Sequence, residues 1–504
     1  MYTPTLAQAR ALGTTAKFAP LYREILADLE TPVSAYLKLG GGRNSFLLES
    51  VEGGENVGRY SFLGTAPREV LEIREDGAEL ETPDGTRRLE YSDPLVLLDE
   101  LLGREKMARL PGLPRFVGGA VGFMTYEIAR CFERLPAAPN DPLALPLARL
   151  MFIDTLLVFD HTRRTLKAVT RLPLDGDLES DYAAACGRID ALLAQLDRAP
   201  TGERLESLPD FNEGIGLHDR LESNLTPGEF MAKVRTAKEY ITAGDVIQVV
   251  PSQRLSLKTD ADPFSIYRAL RVLNPSPYMF FLDYGEYHVV GASPEILVMV
   301  EDGVVTNRPI AGTRWRGKTP EEDERLAADL LGDEKERAEH VMLVDLARND
   351  VGRVSVPGSV QVTELMGIER YSHVMHIVSN VVGTLKPELR PIDALRACFP
   401  AGTVSGAPKI RAMEIIAGLE PDRRGTYAGA VGFFGWDGDF ETCIALRTSF
   451  IRDGRVHVQA GGGIVADSDP ALEYEETLNK AAALLRAVLA AERAERPARE
   501  GVPA

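Results

Sequence analysis

The chain has 504 residues, of which 44% are hydrophobic and 26% charged, a composition typical of a soluble protein with several domains or one large domain. Seventy-five acidic against 57 basic residues give a formal charge of −18, which opposes non-specific binding to nucleic acid or to an anionic membrane. Four scattered cysteines without a CxxC pair, no basic-then-apolar start and no apolar run of about 18 residues favour a reduced, cytoplasmic protein with no membrane contact and no zinc site.

The first 200 residues contain short strand-like runs between glycine-rich turns, for example 33–39 and 45–50. A polar run follows at 198–210, RAPTGERLESLPD, and its two prolines and lack of periodicity indicate a linker. We therefore predict an N-terminal domain over 1–200, a linker over 201–225, a second domain over 226–490 and a flexible tail over 491–504. The linker need not separate independent bodies, because the two halves can interleave in space.

Two consecutive helices are predicted after residue 318. Thr319 begins a capping-box pattern, and Gly332 ends that helix before Asp333 caps the next one. In the second helix Glu339 lies on the apolar stripe, four residues before Leu343. A carboxylate on such a stripe is costly unless it is paired or bound to a metal, so Glu339 is a candidate ligand.

The stretch 440–463 reads as a hairpin that ends in a glycine triplet. Alternation predicts one strand over 440–451, with Arg447 facing away from the apolar side chains. Asp453-Gly454 is a strong two-residue turn signal, and 456–460 reads as the return strand. Three consecutive glycines then leave backbone amides open to an anion: Gly461, Gly462 and Gly463.

A helix is predicted directly after this loop, with Asp469 as N-cap and Pro470 as the first helical residue. Glu473, Glu476 and Lys480 are spaced by three and four residues, so they share one face. The simplest alternative is an ordinary solvated helix start, because acids favour the first turn and an i,i+4 Glu–Lys pair is common on surfaces.

Several other kinds of site are disfavoured by spacing. AGTVSGAPK at 401–409 does not fit a phosphate-binding loop, no GxGxxG follows a strand, and HExxH is absent. An oxygen-ligand magnesium site remains, because Glu339 and Glu476 each have a second glutamate one turn earlier, Glu336 and Glu473. Facing carboxylates would repel by about 4 kcal/mol per close pair at an effective dielectric of roughly 20, and a divalent cation removes that cost.

The second half of the chain resembles the chorismate-utilising enzymes, most closely the anthranilate synthase component I group. The resemblance covers about 226–489, and the first half matches more loosely through LLES and GRYSF. The matching segments include NPSPYMFFLD (274–283), GASPEILV (291–298), RPIAGTRWRG (308–317), EHVMLVDLARNDVGRV (339–354), FPAGTVSGAPKIRAMEII (399–416) and ETCIALRTSF (441–450). It implies an α+β fold in which two mainly antiparallel sheets pack face to face with helices on the outside.

The resemblance also implies a reaction and its alternatives. Family members that add water to chorismate carry a lysine where this chain has Gln248, so the expected nucleophile is ammonia. Aminodeoxychorismate synthases, the main alternative, typically carry a lysine where this chain has Ala311. The expected activity is conversion of chorismate and ammonia to anthranilate and pyruvate, the first committed step of tryptophan biosynthesis. A non-catalytic tryptophan-binding subunit is a less favoured alternative.

Site roles follow from the matching motifs. Glu339 and Glu476 would hold Mg²⁺, with Glu336 and Glu473 as possible further contributors. Glu295 would be the general acid, and His376 would assist the elimination half of the reaction. The residues expected to bind substrate are Gly312, Thr313, Tyr427, Arg447, Gly461, Gly462, Gly463 and Lys480.

Regulation and partners are implied in the same way. The family's tryptophan pocket, which gives feedback inhibition, corresponds to Ser50, Asn274, Pro277, Tyr278 and Met279. No glutaminase motif is present, so ammonia would come from a separate glutamine amidotransferase subunit, in a heterotetramer. The N-terminal domain would be the regulatory and partner-contacting one.

Overall fold

The protein is described by a computed structural model that covers residues 1–51, 58–103, 107–201, 205, 220–371 and 374–495. The strands in this part of the chain are β1 (Tyr2–Thr3), β2 (Phe18–Leu26), β3 (Ser45–Glu49), β4 (Tyr60–Gly64), β5 (Glu69–Arg74), β6 (Gly77–Thr82), β7 (Gly85–Leu89), β8 (Gly119–Met124), β9 (Ala148–Ile153), β10 (Thr155–Asp160), β11 (Thr165–Pro173), β12 (Glu222–Ser223), β13 (Gln248–Val249), β14 (Ser252–Lys258), β15 (Tyr278–Asp283), β16 (His288–Ser293), β17 (Ile296–Glu301), β18 (Val304–Asn307), β19 (Ile310–Trp315), β20 (Gln361–Arg370), β21 (Val374–Thr384), β22 (Gly406–Ala407), β23 (Ala430–Gly435), β24 (Phe440–Ile444), β25 (Thr448–Arg452) and β26 (Arg455–Gly461).

Helices and one 3₁₀ turn make up the remaining regular secondary structure of the described residues. They are α1 (Leu6–Leu12), α2 (Pro32–Leu39), α3 (Pro94–Leu102), α4 (Leu178–Gln195), α5 (Pro227–Thr242), α6 (Pro263–Leu273), α7 (Pro320–Gly332), α8 (Glu334–Val354), α9 (Pro391–Cys398), α10 (Gly402–Ser405), α11 (Lys409–Leu419) and α12 (Pro470–Glu495), with a 3₁₀ turn at Tyr126–Cys131. No helix in these ranges is long and apolar enough to span a membrane.

Two twelve-stranded antiparallel sheets organise the molecule. The first has the order β1-β2-β11-β10-β4-β3-β15-β16-β25-β26-β14-β12. The second has the order β19-β21-β18-β17-β24-β23-β8-β9-β5-β6-β7, with β20 also pairing with β21. A short pair, β13 with β22, lies apart from both sheets.

The two sheets pack face to face, and helices cover their outer faces. The sequence of strand β15 is almost wholly apolar because both of its faces are buried. Phe280 and Leu282 enter the core between the sheets, whereas Met279 and Phe281 face the helices. Helices α2, α4, α6 and α12 cover the first sheet, and α3, α8 and α9 cover the second. The α+β fold with two packed antiparallel sheets and outer helices is confirmed.

Both predicted domains supply strands to each sheet. Strand β3 pairs with β15 in the first sheet, and β8 pairs with β23 in the second. The halves before and after the predicted linker 201–225 are therefore interleaved. Residues 202–204 and 206–219 of that linker lie outside the described residues. Helix α12 continues through the buried Ala491 to Glu495, so it takes up the first five residues of the predicted tail at 491–504; the rest of the tail is not described.

Two predictions of secondary structure were wrong. The run 33–39 lies in helix α2, because Thr31 caps the helix and Pro32 occupies its first turn, and both signals outweigh the β-branched and aromatic residues. The stretch 440–451 is two strands in different sheets, β24 and β25. Arg447, with φ of 45°, breaks the extended backbone between them.

Candidate functional site

The glycine triplet meets helix α8 through a glutamine from β13. Nε2 of Gln248 donates a hydrogen bond to Oε1 of Glu339 at 3.2 Å. The same nitrogen would lie only 2.5 Å from a Cβ at position 463, so Gly463 must lack a side chain for this contact. Gln248 therefore holds the glycine loop against the first turns of α8, and its neutral amide donates a hydrogen bond to one carboxylate oxygen of Glu339.

Glu473 lies beside the next glycine. A Cβ at Gly462 would be 2.7 Å from Oε2 of Glu473, and that oxygen is buried without a hydrogen-bond partner among the described residues. Burial raises the pKa of Glu473, and the nearby Glu476 carboxylate adds to the rise. A buried carboxylate oxygen without a donor is costly, and a bound cation would remove that cost.

Lys480 and Tyr427 surround the first glycine of the triplet. Nζ of Lys480 forms an ion pair with Glu476 at 2.7 Å and donates to the carbonyl oxygen of Gly461 at 3.1 Å. The Gly461 amide donates to the hydroxyl of the buried Tyr427, and burial raises the pKa of that phenol to about 12. Tyr427 is therefore a neutral donor at physiological pH, beside the Lys480 ammonium, whose side chain is about half exposed.

Helix α8 carries its second glutamate towards β19. Nη1 of Arg314 lies 3.4 Å from Oε1 of Glu336, and burial together with the charge of Glu339 raises the pKa of Glu336. The site thus holds two pairs of like charges, one on α8 and one on α12. Among the described residues, no three His, Cys, Asp or Glu side chains are close enough together to form a complete metal cage.

Glu295 lies between β16 and β17 and is buried. Its side chain is 5% exposed and accepts hydrogen bonds from Oγ1 of Thr403 at 2.9 Å and from the Ile310 amide. Burial raises the pKa of Glu295 to about 8, although these donors and the charge of Arg447 oppose the rise. The carboxyl group is therefore largely protonated at neutral pH.

His376 faces the bulge of β19. Its Nδ1 lies 2.9 Å from the carbonyl oxygen of Gly312 and 3.1 Å from Oγ1 of Thr313. A carbonyl oxygen can only accept, so Nδ1 carries the hydrogen and Nε2 keeps its lone pair. Burial lowers the pKa of His376, so the imidazole is neutral and available as a base near pH 7.

Arg447 connects the two halves of the site. It lies where the chain leaves β24 for β25, and it interacts electrostatically with both Glu295 and His376. Its guanidinium is partly buried and has no ion-pair partner among the described residues, and burial lowers its pKa. A desolvated guanidinium without an acidic partner is a strong receptor for a carboxylate.

A separate cavity of about 510 Å³ lies between the sheets, beside β3 and β15. Ser50, Pro277, Tyr278 and Met279 line it, and Tyr278 donates to Oε1 of Glu441 at 3.1 Å. Asn274 ends helix α6 just before this wall. The Ser50 hydroxyl and the Asn274 amide nitrogen are buried without partners in the described chain, which leaves polar atoms free for a small ligand.

The structure brings the predicted site residues into two places. Those expected to bind metal and substrate lie around the glycine loop, α8, α12 and β19, and those expected to bind an inhibitor lie at or near the cavity. Sequence reasoning did not identify Thr403 as a partner of Glu295 or Lys335 as a neighbour of Glu473. Thr403 lies in AGTVSGAPK, which does not fit a phosphate loop, and in the family-matching segment 399–416, but neither pattern points to Glu295 as its partner.

Comparison with known proteins identifies the family of the chain. Residues 43–486 match the family described as chorismate binding enzyme. Anthranilate synthase component 1 of Pseudomonas putida is 52% identical over 482 residues, which cover 94% of this chain and 96% of that protein. The corresponding protein of Acetivibrio thermocellus is 46% identical over 488 residues, covering 97% and 99%.

Solved structures extend the comparison. The crystal structure of anthranilate synthase component I from Streptococcus pneumoniae superposes with a TM-score of 0.74 at 38% identity, covering 91% of this chain and 98% of that one. A menaquinone-specific isochorismate synthase from Escherichia coli, at 18% identity and a TM-score of 0.66, shares the fold. The chain therefore belongs to the chorismate binding enzyme family and, within it, to the anthranilate synthase component 1 proteins.

Proposed function

We propose that this chain is the aminating subunit of an anthranilate synthase, which converts chorismate and ammonia to anthranilate, pyruvate and water. The observation that carries the proposal is the triad of Glu295, Arg447 and His376. A protonated carboxyl, an unpaired guanidinium and a neutral imidazole lie together in one buried site. These are an acid, a carboxylate receptor and a base, the three groups that an amination followed by an elimination requires.

Magnesium is part of the proposal. Glu339 and Glu476 would hold the ion, with Glu336 and Glu473 as further contributors, and the partnerless Oε2 of Glu473 supports this fit. Since these side chains form no complete cage, the remaining coordination positions would be left to water and to a substrate carboxylate, as Mg²⁺ prefers. When bound, the ion would neutralise the like charges of the two helices and anchor the ring carboxylate.

The other polar groups of the site would orient chorismate. Arg447 and Tyr427 suit its carboxylates, and Lys480 can leave its ion pair with Glu476 because both side chains are about half exposed. The amides of the glycine loop are partly occupied, since Gly462 donates to the Pro251 carbonyl at 3.3 Å. Gly463, and Gly312-Thr313 beside His376, would complete the contacts.

The first half of the reaction would be acid-catalysed amination. Ammonia attacks C2 of the ring while the C4 hydroxyl leaves, and Glu295 supplies the proton that converts this hydroxyl to water. Gln248 is a neutral amide bonded to Glu339, so it cannot deprotonate water as a competing nucleophile. Ala311, a buried methyl group on β19, cannot form a covalent adduct, which distinguishes this chain from the aminodeoxychorismate synthase alternative.

The second half would be elimination. Nε2 of His376 accepts the proton from C2 while the enolpyruvyl group leaves, and protonation of the released enolpyruvate gives pyruvate. The hydrogen bond from Nδ1 to the Gly312 carbonyl fixes the tautomer that this step needs. Aromatisation of the ring makes the step strongly favourable.

Supply and regulation complete the proposal. Ammonia would come from a glutamine amidotransferase subunit in a cytoplasmic heterotetramer, as the component 1 name of the relatives suggests. Tryptophan would bind in the cavity lined by Ser50 and Pro277-Tyr278-Met279, near Asn274, and inhibit the enzyme. The cavity's size and the Ser50 hydroxyl, which has no hydrogen-bond partner among the described residues, support an amino-acid ligand.

The purified chain, supplied with chorismate, ammonium and Mg²⁺, is expected to produce fluorescent anthranilate and an equal amount of pyruvate. Glu476→Gln should lower this turnover by at least about 100-fold, because a metal ligand and a charge are lost together. Glu475→Gln, one residue away and exposed, is the matched control and should retain activity. Absence of anthranilate from the unaltered chain would refute the proposal, and near-normal activity of Glu476→Gln would remove Glu476 from the metal site.

A further inference from the structure

One residue that lines the cavity, Arg308, also forms an ion pair outside it. Arg308, directly after β18, lines the cavity together with Tyr278 and interacts electrostatically with that phenol. Its guanidinium forms an ion pair with Glu369 on β20. The Arg308 side chain is 24% exposed and that of Glu369 29%, so the pair is more strongly coupled than a typical surface pair.

Glu369 connects this pair to the catalytic histidine. In the ladder of β20 and β21, Glu369 is the direct cross-strand neighbour of His376. The second oxygen of Glu369 accepts a hydrogen bond from the hydroxyl of Tyr371 at 2.7 Å. The ring of Tyr371 in turn packs edge-on against His376, with centroids 5.6 Å apart. One carboxylate thus holds a cavity residue with one oxygen and a neighbour of the imidazole with the other.

The charges that face His376 come from two directions. Glu369 on β20 favours the protonated imidazole, and Arg447, from the segment between β24 and β25, opposes it. On β19 the neighbours are uncharged: the Gly312 carbonyl and the Thr313 hydroxyl bond to Nδ1. Among the described residues, Glu369 is therefore the carboxylate that acts on this ring, and Arg308 is its counter-charge.

We propose that Glu369 is a positioning residue for His376, and that the Arg308–Glu369 ion pair couples occupancy of the cavity to this imidazole. The coupling builds on the proposed function, which makes His376 the base of the elimination. A ligand carboxylate in the cavity would compete with Glu369 for the guanidinium of Arg308. Glu369, released from that partner, would then change both the charge beside His376 and the placement of Tyr371 against its ring.

The charge part of the coupling is tested by titrating His376 directly. Histidine-labelled protein followed by NMR gives the imidazole pKa, and His376→Asn identifies its signal among the seven histidines. Glu369→Gln should lower that pKa, because the negative charge is lost. Arg308→Gln should raise it, because the carboxylate loses its counter-charge; each shift should be on the order of 1 unit or less. Glu324→Gln is the control. It removes an exposed carboxylate that pairs with Arg370, the residue after Glu369 on β20, and should leave the pKa of His376 unchanged.

If Glu369 and Arg308 act on His376 through their charges, the two variants shift its pKa in opposite directions. General loosening of the strand would shift the pKa in the same direction in both. Shifts of equal sign, or none, would overturn the proposal. These measurements need no turnover. A chain that made no anthranilate would refute the proposed function, and the NMR titration would still decide whether Arg308 and Glu369 act on His376.

The coupling part is tested with tryptophan as the probe. Glu369 does not line the cavity but competes with a bound carboxylate for Arg308, so Glu369→Gln should bind tryptophan at least as tightly as the unaltered chain does, by calorimetry. Its turnover at saturating tryptophan should nevertheless be inhibited at least about tenfold less than that of the unaltered chain, because the link to His376 is cut. Full inhibition of Glu369→Gln by bound tryptophan would contradict the coupling, and so would weaker tryptophan binding in Glu369→Gln or an equal loss of inhibition in Glu324→Gln.

Discussion

At the scale of single residues, the properties of the site depend on burial more than on direct ion pairs. Glu295 is the clearest case, because burial outweighs two hydrogen-bond donors and the charge of Arg447. If its protonated form is the acid, activity should be high below its pKa of about 8 and fall as pH rises through that value. The measurement is kcat/KM for chorismate against pH, with the concentration of free ammonia held constant.

Thr403 provides the control for this pH dependence. Its hydroxyl donates to Glu295, and this bond lowers the pKa of the carboxyl group. Thr403→Val should therefore move the alkaline decline to higher pH, whereas Thr403→Ser should leave it in place. If the alkaline decline of kcat/KM occurs at the same pH in Thr403→Val as in the unaltered chain, a group other than Glu295 controls it.

The residue scale also shows what sequence could predict. A carboxylate at position 339 was predicted to lie on an inward stripe, and the structure places it half-buried there. Its partner could not be predicted, because Gln248 lies 91 residues earlier, on a short strand that is held in place by tertiary pairing with β22. Local periodicity identifies which face a side chain occupies, and tertiary pairing decides what it contacts.

At the scale of elements, capping residues predicted where helices begin. The alternation of apolar residues, in contrast, did not predict that 440–451 passes from one sheet to the other. Asp469 caps α12 through the amides of Ala471 and Leu472, as its sequence predicts, and Asp333 caps α8. The stretch 440–451 alternates on both sides of Arg447, since residues on either side face a core. A period of two cannot show which sheet a strand joins, so the crossing that creates the site was invisible in the sequence.

The buried ion pair of Arg424 and Glu420 joins elements around the site. Arg424, 2% exposed, bonds Glu420, the Val404 carbonyl at 2.7 Å and the Val250 carbonyl at 2.6 Å. Arg424→Met should destabilise the protein by about 3–5 kcal/mol, because Glu420 is left buried without its partner. Urea unfolding measures the loss, and Arg424→Met with Glu420→Met should lose less than the single variant. Equal losses in both would mean that the packing of Arg424 matters, rather than the unpaired charge.

At the scale of the whole molecule, the interleaved sheets make the two halves of the chain depend on each other. Strands β15 and β23, from the second half, each have a first-half strand on one side, β3 and β8. The core between the sheets also draws on both halves, with the rings of Phe62 and Phe433 packed at a tilted angle of 59° and 5.7 Å between centroids. Composition could suggest two domains, but it could not show that neither half has a complete core.

This dependence leads to a prediction about folding. Residues 226–495 expressed alone should aggregate or unfold without a cooperative transition, because the edges of β15 and β23 and the inner apolar face would be exposed. Co-expression with residues 1–201 should restore a soluble complex, since the missing strands can pair without the linker. Calorimetry and size-exclusion chromatography of the two preparations provide the measurement. A monomeric 226–495 fragment with a single sharp unfolding transition would contradict the prediction, because it would show that the second half completes its own core.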